Sequence, residues 1–297
     1  MAKIMYDVWN PQKKTLTMLE KLAEVIEDYK ARGFYPLSLR QIYYQAVARG
    51  LIPNSEKSYN TMTYNIRRAR EAGMFDWDSI EDRNRILRIN THWNDPADII
   101  RSAATQYAVD KRATQPVYIE AWVEKDALIG VLEPVARRYD VPCFACKGYV
   151  SITANHEAAM RFKAQTHRDR RVIIYAGDYD PCGFDIHHSI LDRLQQFGAD
   201  VELIRIGLTQ EQIAKYNPPP APVKVKDTRA AGFIKEKGTQ VWELDALDPQ
   251  VIADLYTQQI EALTDFSLIR EAERQEAVGR NVLQSIYQKG PAVVANL

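Results

Sequence analysis

The sequence has no apolar run approaching the roughly 20 residues of a membrane span. No membrane partner is therefore expected. Its first stretch, Met1-Ala2-Lys3-Ile4-Met5-Tyr6-Asp7, lacks the long apolar core of a signal peptide. Cysteine is scarce: three residues, an odd number, argue against a disulfide framework and for a reducing, cytoplasmic setting. Charge of one sign is also missing. Lys+Arg and Asp+Glu both number 39, so the whole-chain charge gives no sign of a nucleic-acid partner. Any such partner has to be read from local patches. No internal repeat is present. What remains is an ordinary globular composition, 46% hydrophobic and 26% charged over 297 residues. That length suffices for two domains with real cores.

Residues 1–90 read as one domain, mostly helical over 15–90. Leu16, Leu19, Leu22, Ala23 and Ile26 make one apolar helical stripe, and Gly33 stops it. Pro36 and Ser38 open a second helix, which Gly50 and Pro53 end. A third starts at Ser55 or Ser58 and ends near Gly73. Three short helices followed by Met74-Phe75-Asp76-Trp77-Asp78 suggest a helix-turn-helix or winged-helix DNA-binding module. Residues 91–116 form a connection with one helix. From Val117 strands alternate with helices: strands are expected at 117–123, 141–145, 172–175 and 201–206. The alternation implies right-handed βαβ units, and so an α/β domain over 117–248 with a parallel sheet and helices on both faces. Pro218-Pro219-Pro220 marks a loop, and 240–244 reads as one more strand. Residues 249–297 read as a C-terminal helical segment.

Sites in open parallel sheets lie beyond the carboxyl ends of the strands. Glu124 follows the first expected strand, and Asp178 and Asp180 follow the third. Three carboxylates there repel one another unless a cation lies between them. Oxygen-only ligands favour Mg2+, with Mn2+ able to substitute. Taken singly, Asp180 also suits a helix N-cap and Glu124 a solvated loop. Together they point to a metal site acting on nucleic-acid phosphodiesters.

The second helix reads Leu39-Arg40-Gln41-Ile42-Tyr43-Tyr44-Gln45-Ala46. At about 100° per residue, Leu39, Ile42, Tyr43 and Ala46 share the core face. Tyr44 lies further round, one turn after Arg40, on a more polar face. A tyrosine oxygen needs activation to act as a nucleophile, and Arg40 is placed to hold a phosphate. Adjacent tyrosines that merely pack are the alternative.

Several of these motifs resemble one family. Val123-Glu124-Lys125-Asp126-Ala127, Lys147-Gly148-Tyr149 and Gly177-Asp178-Tyr179-Asp180-Pro181-Cys182-Gly183 look like the Toprim domain of the topoisomerase VI A subunit and its meiotic relatives. Trp242-Glu243-Leu244-Asp245-Ala246-Leu247 resembles that family's later glutamate-containing strand. Arg-x-x-Tyr-Tyr in a preceding winged helix is also similar. The resemblance spans roughly residues 35–247, and the short chain resembles minimal, mobile-element-encoded versions. It implies a Toprim-like Rossmann-type domain, with Mg2+ on Glu124, Asp178 and Asp180. Glu243 and Lys147 become further candidates for metal or phosphate contact. It implies that Tyr44 attacks double-stranded DNA, with Arg40 as its arginine, leaving a 5′-tyrosyl link and a 3′-hydroxyl. It further implies a nucleoid-associated homodimer in which Tyr44 works beside the partner's metal, acting without ATP on its own. A B-type ATPase or another regulatory protein is the partner that fits.

For DNA contact, Arg67, Arg68 and Arg70 share the third helix with Lys57 and Asn65, though Glu56 and Glu71 flank them. Lys224, Lys226 and Arg229, with Lys235 and Lys237, follow the proline loop and suit a phosphate backbone. Arg161, Lys163, Arg168, Arg170 and Arg171 read as a solvated helix end. Two rival readings stay open: a Toprim nuclease that uses water, and a DNA-binding protein whose acidic site is structural.

Overall fold

The computed structural model describes residues 3–34, 36–80, 90–223 and 229–294, with side chains to residue 288. Helix α1 (Lys13–Ala31) buries Leu19, Leu22, Val25, Ile26 and Tyr29, the spacing of one helical face. Helix α2 (Leu39–Ala48) begins with a reciprocal cap. The Ser38 hydroxyl accepts from the Gln41 amide at 3.3 Å, and Gln41 Oε1 accepts from the Ser38 amide at 2.8 Å. Such a cap is worth about 1 kcal/mol. Helix α3 (Glu56–Glu71) is capped by Ser55, and Gly73 at φ +71° follows it. Leu22, Ile42, Met62 and Ile66 lie in the core shared by the three helices. The helical part of the expectation is therefore present. Among the described residues it carries no hairpin wing, only single bridges between Met5 and Ala72 and between Leu37 and Ile80.

Helix α4 (Pro96–Gln106) leads to the sheet. Its strands are β1 (Val117–Val123), β2 (Cys143–Ala145), β3 (Arg170–Ala176) and β4 (Glu202–Gly207). All pairs are parallel, and the order is β2-β1-β3-β4. Alternate residues of β1 and β3 serve opposite faces, as the pleat requires. Ile119, Ala121, Val123, Val172 and Ile174 pack in one cluster with Leu132 and Tyr256. Those two come from α5 (Ile129–Arg138) and, later in the chain, the helix that begins at Pro249. Trp122, Ile173 and Tyr175 pack on the other side with Phe162 and Ile190. These come from α6 (Ile152–Ala164) and α7 (Pro181–Gln196). Full burial of each such side chain contributes about 1.5–3 kcal/mol.

Strand β1 leads to β2 on one side, and the chain then returns to β3 on the other. The direction of travel thus reverses between β1 and β3, which opens a crevice at their carboxyl ends. Glu124 and Asp178 flank that crevice.

Helix α8 (Gln210–Tyr216) follows β4. The expected strand over 240–244 is not part of the main sheet. Only β6 (Gln240–Val241) forms, antiparallel to β5 (Ala221–Pro222) across α9 (Ala230–Lys237). Residues 244–246 instead make a 3-10 turn. That turn joins the two halves of the molecule: Leu244 packs into the sheet core and Ala246 into the helical core. Gln45 donates to the Leu247 carbonyl at 3.3 Å, and Arg32 pairs with Asp248 at 2.9 Å. Helices α10 (Pro249–Ala262) and α11 (Phe266–Val294) close the chain, with α11 packed along α4. Among the described residues, no helix is long and apolar enough to cross a membrane.

Candidate functional site

The site begins where β1 and β3 end. The Glu124 amide donates to the Ala176 carbonyl at 2.9 Å, which locks the two strand ends together. Glu124 Oε2 accepts from the Asp178 amide at 2.9 Å and from the Tyr175 hydroxyl at 3.4 Å. Asp178 Oδ1 accepts from the Leu244 amide at 2.7 Å. Both carboxylates are buried. The glycines of this loop are a steric necessity. A Cβ on Gly177 would lie 2.6 Å from Glu124 Oε2, and one on Gly183 would overlap the Asp178 carbonyl. Asp180 takes the capping role: its Oδ1 accepts from the Gly183 amide at 2.6 Å at the start of α7.

A lysine sits among the acids. Lys125 Nζ is 3.0 Å from Asp178 Oδ1, 2.8 Å from Glu243 Oε2 and 2.7 Å from Asp245 Oδ1. Arg40 reaches the same group from α2: Nε is 3.0 Å from Asp245 Oδ2, and Nη2 is 3.1 Å from Glu243 Oε2. Nη2 also donates to the Tyr44 hydroxyl at 3.2 Å, and that hydroxyl donates to Glu243 Oε2. The tyrosine, the arginine and the acidic loop therefore meet within one chain.

The electrostatics follow from this packing. Burial acts to lower Lys125, but Asp178, Asp245 and Glu243 outweigh it and hold the ammonium well above its ordinary range. Burial acts to raise Glu243, but Lys125, Tyr44 and Arg40 hold it down to about 2. Burial pushes Asp178 up to about 8 against the pull of Lys125, with Glu124 and Asp245 adding to the rise. Glu124 is raised by burial too, eased by the Asp178 amide. Burial, the Asp245 charge and the bond to Glu243 keep the Tyr44 phenol well above its usual value. Arg205 of β4 spans the loop from beneath, donating to the carbonyls of Gly177 at 3.0 Å, Asp178 at 2.5 Å and Gly183 at 3.3 Å.

Tyr43 and Tyr44 differ less in burial than their helical positions suggest, at 5% and 7% exposed. They differ in partner: the Tyr43 hydroxyl bonds Asn54 and Ser55 within the helical unit. Glu243 joins the site; Lys147 does not, and pairs with Asp126 at 3.3 Å. Arg67 is exposed on α3, over the Tyr64 ring. Arg68 is tied to Asp7 and Glu71, and Arg70 donates to the carbonyls of Trp77 and Ile80. Arg229 contacts Tyr149 and Asp185. Lys224 and Lys226 lie outside the described residues. The expected solvated helix end is corrected in part: Arg161 binds buried Glu120 with two nitrogens at 2.9 Å, and Arg168 is buried. Sequence reasoning missed Lys125, Asp245 and Arg205 as site residues. The available signal was position, since Lys125 follows Glu124 and Asp245 stands two after Glu243.

Among the described residues, no group of three or more His, Cys, Asp or Glu side chains is arranged to hold a metal ion. The donor chemistry nonetheless suits a hard cation. Glu124, Asp178 and Asp180 each commit one oxygen to the hydrogen bonds above. Glu124 Oε1, Asp178 Oδ2 and Asp180 Oδ2 have no hydrogen-bond partner among the described residues. The chain matches no protein-family profile and no curated protein.

Proposed function

We propose that this chain cleaves double-stranded DNA through Tyr44, in the manner of a type IIB topoisomerase A subunit, with a winged-helix-like unit feeding a Toprim-like site. One observation carries the reading. The Tyr44 hydroxyl donates to Glu243, and Arg40 ties both to the lysine-centred acids at the sheet's carboxyl edge. Glu124, Asp178 and Asp180 are the residues that would hold Mg2+ or Mn2+, which would supply charge stabilisation at the phosphate.

As it stands, the site holds a protonated tyrosine against a carboxylate of very low proton affinity. Attack requires that balance to change. A DNA phosphate competes with Glu243 and Asp245 for Arg40 and Lys125. As those cations turn to the phosphate, Glu243 gains proton affinity and accepts the Tyr44 proton. The Tyr44 oxygen then bonds to phosphorus, the bond from phosphorus to the 3′ oxygen breaks, and that oxygen leaves as a hydroxyl with a proton from solvent. Arg40 offsets the charge that develops on the phosphate. Two chains acting together would make a double-strand break; the homodimer and any ATPase or regulatory partner belong to this proposal.

A nuclease reading has one observation in its favour: the Tyr44 hydroxyl is already engaged and its phenol is held protonated. Supercoiled DNA incubated with Mg2+ or Mn2+ and quenched in denaturant separates the two. Protein-linked 5′ ends that vanish in Tyr44→Phe support tyrosyl transfer. Cleavage that survives Tyr44→Phe supports hydrolysis by water. No cleavage by the wild-type chain under any of these conditions leaves neither standing.

A further inference from the structure

The opposite edge of the sheet carries an arrangement that the proposed cleavage does not use. A cavity of about 480 Å³ opens at the amino ends of β1, β2 and β3. Arg112, from the segment before β1, lines it, as do Asp140 before β2 and Arg168 before β3. Arg112 is only 5% exposed and Arg168 only 8%. Neither makes an ion pair among the described residues. Arg112 Nη1 donates to Thr264 at 3.1 Å and, at 3.5 Å, to the Tyr139 carbonyl. Its Nε and Nη2 are buried with no partner. Arg168 spends Nη1 on the Gln115 carbonyl and Nε on Gln165 at 3.4 Å.

Two buried guanidinium groups beside one cavity repel each other. Burial, with Arg168 adding, pulls Arg112 down to about 10, while Asp140 and Asp110 oppose the fall. Those two acids also line the cavity, but each is engaged with backbone. Asp110 accepts from the Arg112 amide at 2.8 Å, and Asp140 from the Lys111 amide at 2.9 Å. Buried donors without partners are rare in folded proteins, and an ion is one of the standard reasons for them. A guanidinium fork matches the oxygens of a phosphate or carboxylate. The cavity also exceeds what a lone phosphate fills and lies in the range of small-molecule sites, with Tyr118, Ile119, Val141 and Pro142 as its apolar wall.

We propose that Arg112 and Arg168 form a binding site for a small phosphorylated molecule at the amino edge of the sheet, distinct from the cleavage site. The phosphate accepts from the guanidinium groups, and the organic body lies against the apolar wall.

Calorimetry on the full chain at fixed ionic strength tests this with inorganic phosphate and a nucleoside monophosphate as probes. The wild type is expected to bind both, the nucleotide more tightly. Arg168→Gln is expected to weaken phosphate by about tenfold or more, the effect of losing a charge-assisted hydrogen bond. Ala108→Trp, which narrows the cavity from its exposed rim and leaves both arginines in place, is expected to weaken the nucleotide. Arg193→Gln, at an exposed position of α7 that lines neither site, is expected to leave both affinities unchanged. Absence of binding by the wild type at millimolar probe overturns the proposal. So does binding lost in Arg193→Gln and kept in Arg168→Gln, or binding unchanged in both Arg168→Gln and Ala108→Trp.

Discussion

The carboxyl edge of the sheet gathers Asp178, Glu243 and Asp245 around one ammonium and adds Arg40, so its charges are cross-paired. The amino edge gathers Arg112 and Arg168 beside a cavity, where Asp110 and Asp140 are close enough to be felt by Arg112 but neither guanidinium forms an ion pair among the described residues. The two edges are therefore prepared for different events. A cross-paired cluster exchanges partners when a competing charge arrives. An under-paired one has donors to spare.

The largest expected contrast comes from removing one cation at each edge. Lys125→Met leaves three carboxylates without their shared counter-charge and is expected to cost about 3–5 kcal/mol. Arg112→Met loses one good hydrogen bond but relieves unpaired donors and the repulsion from Arg168, so about 1 kcal/mol or less is expected. Urea unfolding at pH 7 compares the two, and equal losses would break the distinction.

Steric crowding is the next contrast. Gly183→Ala drives a Cβ into the Asp178 carbonyl, a backbone atom that cannot swing aside. A loss of about 1–3 kcal/mol is expected, as for overpacking. Gly232→Ala, within α9, meets nothing within 4 Å and is expected to gain about 0.5–1 kcal/mol. Thermal midpoints moving in opposite directions is the outcome that counts; a shared sign would refute the crowding argument.

The smallest effect is a pH dependence. His187 lies on α7 between Tyr175 and His188, and burial, with Arg205 and His188, holds it down to about 4. Its folded proton affinity lies below the unfolded one. The unfolded chain therefore binds more protons, and stability rises with pH in this window. The contribution is present above the ordinary histidine value of about 6.5 and is lost as pH falls through about 4. Urea midpoints across that window are expected to change less steeply in His187→Gln than in the wild type.

Much of the sheet is legible in the sequence because strands and helices announce themselves by local period. The segments 117–123 and 201–206 correspond to strands at 117–123 and 202–207, and Glu124 and Asp178 stand just beyond the ends of β1 and β3, as the alternation predicts. The strand expected over 240–244 forms only at 240–241, because the chain then turns between two cores, with Leu244 in one and Ala246 in the other. Asp180 was legible as both cap and ligand; its hydrogen bond to the Gly183 amide is the cap. Arg168 looked like a solvated residue because a charge on a helix end carries no sign of what folds over it.

The local choices are written in the sequence. These are where helices start, which face of α2 carries Arg40 and Tyr44, and which acids lie beyond β1 and β3. Those choices rest on periodicity, capping and glycine, all of which act within a few residues. The partners come from the folded chain. Tyr44 meets Glu243 across 199 positions, and Arg40 meets Asp245 across 205. The turn at Leu244–Ala246 brings them together by docking the helical unit onto the sheet edge. The same docking buries Lys125 among three acids, and so decides its charge and the proton on Tyr44. Ionisation depends on burial and on neighbours brought in from distant segments, and a linear pattern holds neither.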